Sequence, residues 1–400
     1  MVSVTEAEKI ILSQAKDFGT EMISFEDSLG RLLAEDIRAD RDFPPFNRVT
    51  LDGIAIHYDA YANGVRSFRV NATQAAGQSP IDIQHDDECI EIMTGAALSS
   101  TVDTVIPYEE IEVQNGIANI RAKNILINQN IHPRGKDKKQ NEVLVSANQC
   151  ITPSILSVAA TVGKSRICVR KNPRIIVIST GDELVDIDQS PSAFQIRRSN
   201  DHTLLAILKQ HSLSADLLHL PDDENIIFEK IAQAIKQYDV ILLSGGVSMG
   251  KFDFVPSALG KLNVEKLFHK VQQRPGKPFW FGAHAQGSLV FAFPGNPVST
   301  FMCFHRYFLP WYKTSQHLEI RANFAVLNED FTFKPLLQYF LQVKLSIDET
   351  GQLVAIPVEG NGSGDLANLP NTDAFMELPL DKELFKKGEV FRVWPFKQIL

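Results

Sequence analysis

Between residues 174 and 246, short apolar runs alternate with longer amphipathic runs, and this alternation constrains the fold more than any other feature. The runs RIIVIST (174–180), SADLLHL (214–220) and DVILLSGG (239–246) have the length and composition of buried strands. The intervening HTLLAILKQH and DDENIIFEKIAQAIKQY repeat apolar residues at helical spacing. Strands that alternate with helices build a doubly wound parallel sheet, which binds ligands beyond the carboxyl ends of its strands.

The rest of the chain predicts a multidomain protein of α/β plus β class. At 400 residues it is too long for a single hydrophobic core. A helical linker domain is expected at 1–48 and 145–170, with an inserted β-rich domain at 49–144. The α/β domain is placed at 171–320 and a C-terminal β domain at 321–400. In the linker domain, Thr5 and Glu8 predict a capping box, and EDSLGRLLAEDI (26–37) predicts a second helix.

Charge and cysteine usage exclude several classes of protein. The formal net charge is −8, which argues against broad binding to nucleic acid or to an anionic membrane. No stretch reaches the roughly 18 apolar residues of a membrane span. Cys89, Cys150, Cys168 and Cys303 are far apart, so neither a disulfide framework nor a zinc site is expected. A reducing cytoplasm is the expected location.

Polar and glycine-rich loops follow the predicted strands. STGDEL places Asp182 and Glu183 after one strand, and SGGVSMGKFDF places Asp253 after another. RPGKP adds a basic turn, and PGNP places Asn296 where it would cap a helix whose free N–H groups bind anions. Any one of these loops is more often a solvated turn or a helix cap. Their shared position at one sheet edge favours a ligand site.

The loop SGGVSMGKFDF also resembles a Walker A phosphate loop. Gly245, Gly250 and Lys251 have the Walker spacing. A Walker A loop continues with Ser or Thr, whose hydroxyl holds magnesium, whereas this chain has Phe252. The sequence therefore disfavours a P-loop NTPase.

The motifs, taken in order, identify a family resemblance. The chain contains VTLDGIA, TGAALSSTVDTVIPYEE, RGKD, STGDEL, RSN, SGGVSMGKFDF, RPGKP and PGNPVS. These resemble the ordered patterns S-x-M-D-G-Y-A, TGAxxPxGxDxVVxxE, RxxGxDxxxG, STGDEL, DxN, TGGxSxGxxDY, KPGKP and PGNP. Over essentially its whole length, the chain therefore resembles the molybdopterin molybdenumtransferase family, which includes the MoeA proteins and the gephyrin E domain.

The resemblance implies a reaction and its partners. Such enzymes are homodimers that take adenylylated molybdopterin and molybdate, transfer molybdenum to the dithiolene sulfurs and release AMP. A divalent cation, usually Mg²⁺, takes part. The active cleft lies between the α/β domain of one subunit and the D-G motif domain of the other. A molybdopterin adenylyltransferase is a further expected partner, whereas nucleic acid and membrane are not.

The resemblance also assigns roles by motif position. Glu183 and Asp253 are expected to contact the cation or the pterin, and Arg274 and Lys277 to meet molybdate or phosphate. Asp52 and Thr94 are expected to reach across the dimer. These six residues are the predicted catalytic set, with Glu183 and Asp253 as the metal ligands. The predicted cofactor-binding set is Gly181, Asp182, Gly245, Gly246, Ser248, Gly250, Pro294, Gly295 and Asn296.

Several positions depart from the family patterns. Ile54 stands where the pattern has Tyr, Arg198 where it has an acid, and Arg274 where it has Lys. Arg keeps the charge of Lys but changes its geometry. These departures leave open a non-catalytic molybdopterin-binding or scaffold paralogue, as the gephyrin relative suggests for this fold. Another nucleotide enzyme on the same α/β module is a further alternative, disfavoured by the two β domains.

Overall fold

The computed structural model describes residues 1–246 and 254–397. The chain divides into two compact units. The first unit comprises residues 1–22, 30–32 and 168–400, and the second comprises residues 23–29 and 33–167. The predicted division into four domains is a finer one and stays a prediction.

The helices have the following bounds. They are α1 Val4–Ser13, α2 Tyr58–Ala62, α3 Pro153–Thr161, α4 Asn200–Gln210, α5 Glu224–Gln237, α6 Val255–Lys261, α7 Pro297–Cys303 and α8 Leu309–Ser315. A π-helical turn, Phe304–Phe308, joins α7 to α8, and 3-10 turns occupy Tyr108–Glu110 and Leu366–Asn371.

The strands are short and numerous. The first twelve are β1 Thr20–Ser24, β2 Ile37–Arg38, β3 Arg48–Val49, β4 Gly53–Ile56, β5 Ser67–Gln74, β6 Glu88–Ile92, β7 Thr104–Pro107, β8 Ile111–Gln114, β9 Ile117–Ile120, β10 Ile131–His132, β11 Val143–Val145 and β12 Arg166–Arg170. They are followed by β13 Ile175–Thr180, β14 Leu184–Val185, β15 Ile196–Arg197, β16 Ala215–Leu220, β17 Val240–Ser244, β18 Val264–His269, β19 Gln273–Arg274, β20 Trp280–His284, β21 Leu289–Phe293, β22 Asn323–Leu327, β23 Phe331–Thr332, β24 Gln338–Ile347, β25 Leu353–Pro357, β26 Ala374–Leu378, β27 Leu384–Phe385 and β28 Val390–Pro395.

The central sheet of the first unit has the strand order β16-β13-β17-β21-β20-β18. The pairings β13–β16, β13–β17 and β17–β21 are parallel, while β20 and β18 continue the sheet antiparallel. Alternate residues of β13 enter different cores. Val177 belongs to the core cluster that includes residues of α1, α4, α7 and α8, and Ile178 belongs to the cluster that includes residues of α5 and α6. Both faces of β13 are buried, which explains its continuous apolar run.

A second sheet of the first unit comes from the C-terminal region. Its order is β19-β24-β25-β22-β28-β26, and a further pairing of β24 with β26 closes it on itself. In sequence, the strand β19 follows β18, an edge strand of the central sheet. In the structure, β19 pairs parallel with the start of β24. The basic residue Arg274 is therefore held by the C-terminal sheet.

The second unit contains its own mixed sheet. The strand order is β7-β4-β6-β5-β9-β8, and the β5–β6 pair is parallel. Apolar residues pack on both faces of β4: Ile54 and Ile56 belong to one core cluster and Ala55 to another. Ile54, which replaces the family's Tyr, is fully buried.

Two local predictions in the N-terminal region are wrong. The first helix begins at Val4, and its capping box joins Ser3 to Glu6 rather than Thr5 to Glu8. The segment 26–37 is not helical. Gly30 has a φ of +77°, which interrupts a helix, and the Leu33 amide donates to the distant Gln149 carbonyl.

Within the described residues, no helix has the length and apolar character needed to cross a membrane.

Candidate functional site

Loops from distant parts of the sequence enclose a cavity of about 520 Å³ in the first unit. Glu183 follows β13, Arg274 and Lys277 form the basic turn after β18, and Gly295 and Asn296 follow β21. Pro294 completes the predicted residues in its lining. The structure thus brings these sequence-predicted site residues together.

A neighbouring cavity of about 390 Å³ shares Glu183, Gly295 and Asn296 with the first. Its lining adds Gly245 and the start of α4, including Asn200. Pro294, directly after β21, lines the first cavity. Thr180 and Ser244, the last residues of β13 and β17, line the second. This is the carboxyl edge at which doubly wound sheets bind ligands.

The glycines at this edge allow backbone segments to approach closely. A Cβ atom on Gly295 would lie 3.7 Å from the Gly245 Cα atom. A Cβ atom on Gly246, whose φ is +69°, would lie 2.9 Å from Thr180 Oγ1. Side chains at these positions would fill the space between the strand ends, so glycine keeps the backbone accessible to a ligand.

Asn200 joins the glycine loops. Its Nδ2 donates to Ser244 Oγ at 2.9 Å and to the Gly295 carbonyl at 2.7 Å. One amide group thereby fixes the end of β17, the loop after β21 and the first turn of α4 relative to one another. In the sequence Asn200 is only the last residue of the short RSN motif, and its role emerges from partners that are distant in sequence.

The acidic residues after β13 separate into different positions. The carboxylate of Glu183 folds back beside Gly181, because an added Cβ on Gly181 would lie 2.5 Å from Glu183 Oε2. Asp182 Oδ1 accepts from the Asp222 amide at 3.1 Å, and Asp182 is absent from the described lining of either cavity. Of this pair, Glu183 is therefore the stronger ligand candidate.

The predicted cap at the start of α7 is partly wrong. Asn296 stands at the N-cap position, but its side chain makes no capping hydrogen bond and its Nδ2 donates to Ser363 Oγ at 2.8 Å. The Val298 amide donates to the Ser363 carbonyl at 3.1 Å. The loop that contains Ser363 therefore already accepts a hydrogen bond from one of the α7 N–H groups that were expected to bind an anion.

Arg198, where the family pattern has an acid, is held between two carboxylates. Its guanidinium donates to Asp186 at 2.7 Å and lies 3.4 Å from Oδ2 of the fully buried Asp201. The Ile187 amide and then Arg198 lower the pKa of Asp186. Asp201 also accepts from Ser179 Oγ at 3.2 Å. The positive charge that this departure introduces is therefore compensated within the chain.

In the second unit, Asp52 and Thr94 form a local pair. Asp52 Oδ1 accepts from the Thr94 amide at 2.6 Å and from Thr94 Oγ1 at 2.7 Å. These bonds, the amide first, hold the pKa of the exposed Asp52 carboxyl below its ordinary value. Nearby, Tyr108 donates its hydroxyl to Glu91 at 2.8 Å. Asp52 is thus a pre-oriented carboxylate.

The predicted residues Ser248, Gly250 and Asp253 lie outside the described residues, as does Lys251. Within residues 1–246 and 254–397, no group of three or more His, Cys, Asp or Glu side chains is arranged to hold a metal ion.

Three family descriptions match this chain. They are “MoeA N-terminal region (domain I and II)” over residues 2–163, “Probable molybdopterin binding domain” over residues 176–314 and “MoeA C-terminal region (domain IV)” over residues 325–396. The chain belongs to the MoeA family. The predicted family and the multidomain fold class are therefore confirmed.

Individual MoeA relatives match over nearly the full chain. A molybdopterin molybdenumtransferase of Synechocystis sp. is 38% identical over 394 residues, which cover 98% of this chain and 99% of the relative. One from Staphylococcus aureus is 31% identical over 396 residues, with 97% and 94% covered. Two crystal structures of molybdopterin biosynthesis MoeA proteins from Pyrococcus horikoshii superpose with TM-scores of 0.84 and 0.79 at 28% and 25% identity. The first covers 100% of both chains, and the second covers 99% of this chain and 100% of its own.

Proposed function

We propose that this chain is a molybdopterin molybdenumtransferase of molybdenum cofactor biosynthesis, which inserts molybdate into adenylylated molybdopterin and releases AMP. The observation that carries this proposal is the cavity of about 520 Å³ in which Glu183, Arg274 and Lys277 converge at the sheet edge. The names of the full-length relatives support the same reaction.

The chemistry of the cavity suits the substrates. Molybdate is a dianion and the adenylylated pterin carries phosphates, so both require cationic or N–H donors. We assign this role to Arg274 and Lys277. Cleavage of a phosphoanhydride depends mainly on positioning and charge neutralisation rather than on covalent catalysis. The backbone at Gly245 and Gly295 leaves room for the pterin and its phosphate.

We propose that Mg²⁺ assists, with Glu183 and Asp253 as ligands. Mg²⁺ is commonly bound by one or two carboxylates together with substrate phosphates and water, so the single described carboxylate at the cavity fits this ion. When bound, Mg²⁺ would neutralise charge on the phosphates of the substrate. Glu183 would hold it beside the cavity.

We extend the proposal to the assembly. The enzyme would act as a homodimer in which Asp52 and Thr94 contribute to the cleft of the other subunit. A molybdopterin adenylyltransferase would supply the adenylylated substrate, and the cytoplasm would be the location of both. The pre-oriented Asp52 carboxylate supports a role for that residue in contacting substrate or cation.

Molybdate-dependent release of AMP from adenylylated molybdopterin is the direct test. We expect release by the wild type with molybdate and Mg²⁺, and a large rise in the molybdate KM for Lys277→Ala. The matched control is Lys344→Ala, which removes an exposed lysine of β24 outside the lining of the cavity. Binding of the adenylylated pterin without any AMP release would support the scaffold alternative and contradict the proposal.

A further inference from the structure

The turn that carries Arg274 and Lys277 is anchored from beneath by a buried polar chain. Gln273, directly before the turn, is fully buried. Its Nε2 donates to the Gly276 carbonyl at 3.2 Å and to Cys303 Sγ at 3.5 Å. Its Oε1 accepts from the hydroxyl of Tyr307, whose side chain is buried as well. These hydrogen bonds link the turn to the helical segment that follows β21.

The same tyrosine contacts the other end of the turn. Phe279 follows the turn, and its ring centroid lies 5.1 Å from that of Tyr307. The Phe279 amide donates to the Gly276 carbonyl at 3.2 Å, so this carbonyl receives bonds from both ends of the turn. Gln273 and Phe279 therefore flank the basic residues and both contact Tyr307.

The space beneath the turn is already filled. Gly276 has a φ of +87°, and an added Cβ would lie 2.6 Å from Cys303 Sγ and 2.7 Å from Gln273 Nε2. The turn therefore packs directly against the side chains of Cys303 and Gln273, with no space for a side chain at position 276. This close packing makes the position of the turn sensitive to the groups beneath it.

Tyr307 is placed by an unusual helical geometry. It lies in the π-helical turn Phe304–Phe308, and such turns are rare and frequently occur at functional sites. Burial raises the pKa of Tyr307 well above its ordinary value, so its hydroxyl remains a hydrogen-bond donor. The Tyr307 hydroxyl donates to Gln273 Oε1, a buried amide oxygen that would otherwise be left without a partner.

We propose that Gln273 and Tyr307 are positioning residues, which hold Arg274 and Lys277 in the arrangement that binds the oxyanion substrate. This inference rests on the proposed function, because it assumes that the turn binds molybdate or phosphate. Gln273 borders the cavity but is fully buried, and Tyr307 is outside the described lining, so both are assigned an effect through the turn. Their effect is to reduce the number of arrangements available to the basic turn before the anion arrives.

The first test compares Tyr307→Phe with Tyr312→Phe. Tyr312 lies in α8 and donates its hydroxyl to Asn172 at 2.9 Å, so the control also removes a phenol hydrogen bond from this helical segment. For Tyr307→Phe we expect faster hydrogen exchange in the peptide 271–279 and a molybdate KM about tenfold higher, with kcat changed by less than about twofold. Unchanged exchange and unchanged KM would overturn the proposal.

A double variant separates positioning from stability. In Gln273→Leu/Tyr307→Phe the buried hydroxyl and its acceptor are removed together, so much of the lost thermal stability is expected to return. The Gly276 carbonyl keeps its bond from the Phe279 amide, and only the weak acceptor Cys303 Sγ loses a partner. The raised molybdate KM and the fast exchange in 271–279 should persist. Recovery of the wild-type KM together with the stability would show a merely structural role and overturn the proposal.

Lys277→Ala distinguishes failure of this inference from failure of the proposed function. If Lys277→Ala raises the molybdate KM while Tyr307→Phe does not, the turn binds the anion but the positioning inference is wrong. If Tyr307→Phe accelerates exchange in the turn while Lys277→Ala leaves the molybdate KM unchanged, the anchor exists but the assigned role of the turn is wrong, and the inference that depends on it falls.

Discussion

Replacement of Asn200 by alanine tests whether one side chain holds the glycine loops together. The change removes hydrogen bonds to Ser244 Oγ at 2.9 Å and to the Gly295 carbonyl at 2.7 Å. Each such bond contributes a net 0.5–1.5 kcal/mol, so together they contribute roughly 1–3 kcal/mol. If this free energy is lost from the loop conformation that binds substrate, the affinity for the adenylylated pterin should decrease about 5- to 150-fold.

Asn200→Asp sharpens the same prediction. A carboxylate has no N–H group and would face the Gly295 carbonyl oxygen, so an acceptor would oppose an acceptor. We therefore expect Asn200→Asp to bind the pterin more weakly than Asn200→Ala. The control Asn225→Ala changes an exposed asparagine in the first turn of α5 and should bind as the wild type does.

Isothermal titration calorimetry with adenylylated molybdopterin measures these affinities directly, and steady-state release of AMP measures the effect on turnover. The reasoning would be refuted by an Asn200→Ala protein whose affinity is within about twofold of wild type. It would equally be refuted if Asn200→Asp bound better than Asn200→Ala, because the amide would then not act as a donor between the loops.

Two further predictions concern charges outside the cavity. Asp52 has a lowered pKa when folded, so its stabilising contribution is present above the unfolded value of about 3.9 and is lost as pH falls through the folded value. Thr94→Val should raise the Asp52 pKa and Thr94→Ser should not, as followed by carboxyl NMR titration; equal pKa values in both variants would contradict this. Arg306 is buried, and its Nε lies 3.3 Å from a Glu377 carboxylate oxygen. Arg306→Met should lower the free energy of unfolding, measured in urea, by roughly 3–5 kcal/mol, because it leaves a carboxylate uncompensated. Arg321→Met, at an exposed ion pair, should have no measurable effect, and a similarly small loss for Arg306→Met would refute the argument.

The parallel strands β13, β16 and β17 of the central sheet were predictable because their signal is local. Strands such as β13 and β17 are buried on both faces, so burial is visible as an unbroken apolar run. Asp223 caps α5, with its carboxylate accepting from the Ile226 amide at 2.9 Å. The strands β18, β20 and β21 were not predicted. The mixed burial of β18 and β20 gives no comparable run, whereas LVFAF of β21 is an unbroken buried run that was missed.

The site was predictable as a set of loops but not as a set of contacts. Glu183, Arg274 and Lys277 were assigned from motifs, and the structure places them on one cavity. Asn200 and Gln273 received no individual role, because a polar residue destined for burial resembles a surface residue until its partners are known. The helix predicted over 26–37 does not form, and here too a contact distant in sequence decides: the Leu33 amide donates to the Gln149 carbonyl rather than within a helix.

By itself the sequence determined the alternation of strand and helix, the glycine and basic motifs at the strand ends, and membership of the MoeA family. These follow from short-range periodicity and from ordered residue patterns, which do not depend on distant contacts. Only the tertiary structure decided which polar groups meet: the Asn200 amide with the Gly295 carbonyl, and the Tyr307 hydroxyl with the Gln273 amide oxygen. Each contact joins residues far apart in the chain, so its partner and its energy exist only once the sheet and its helices have packed.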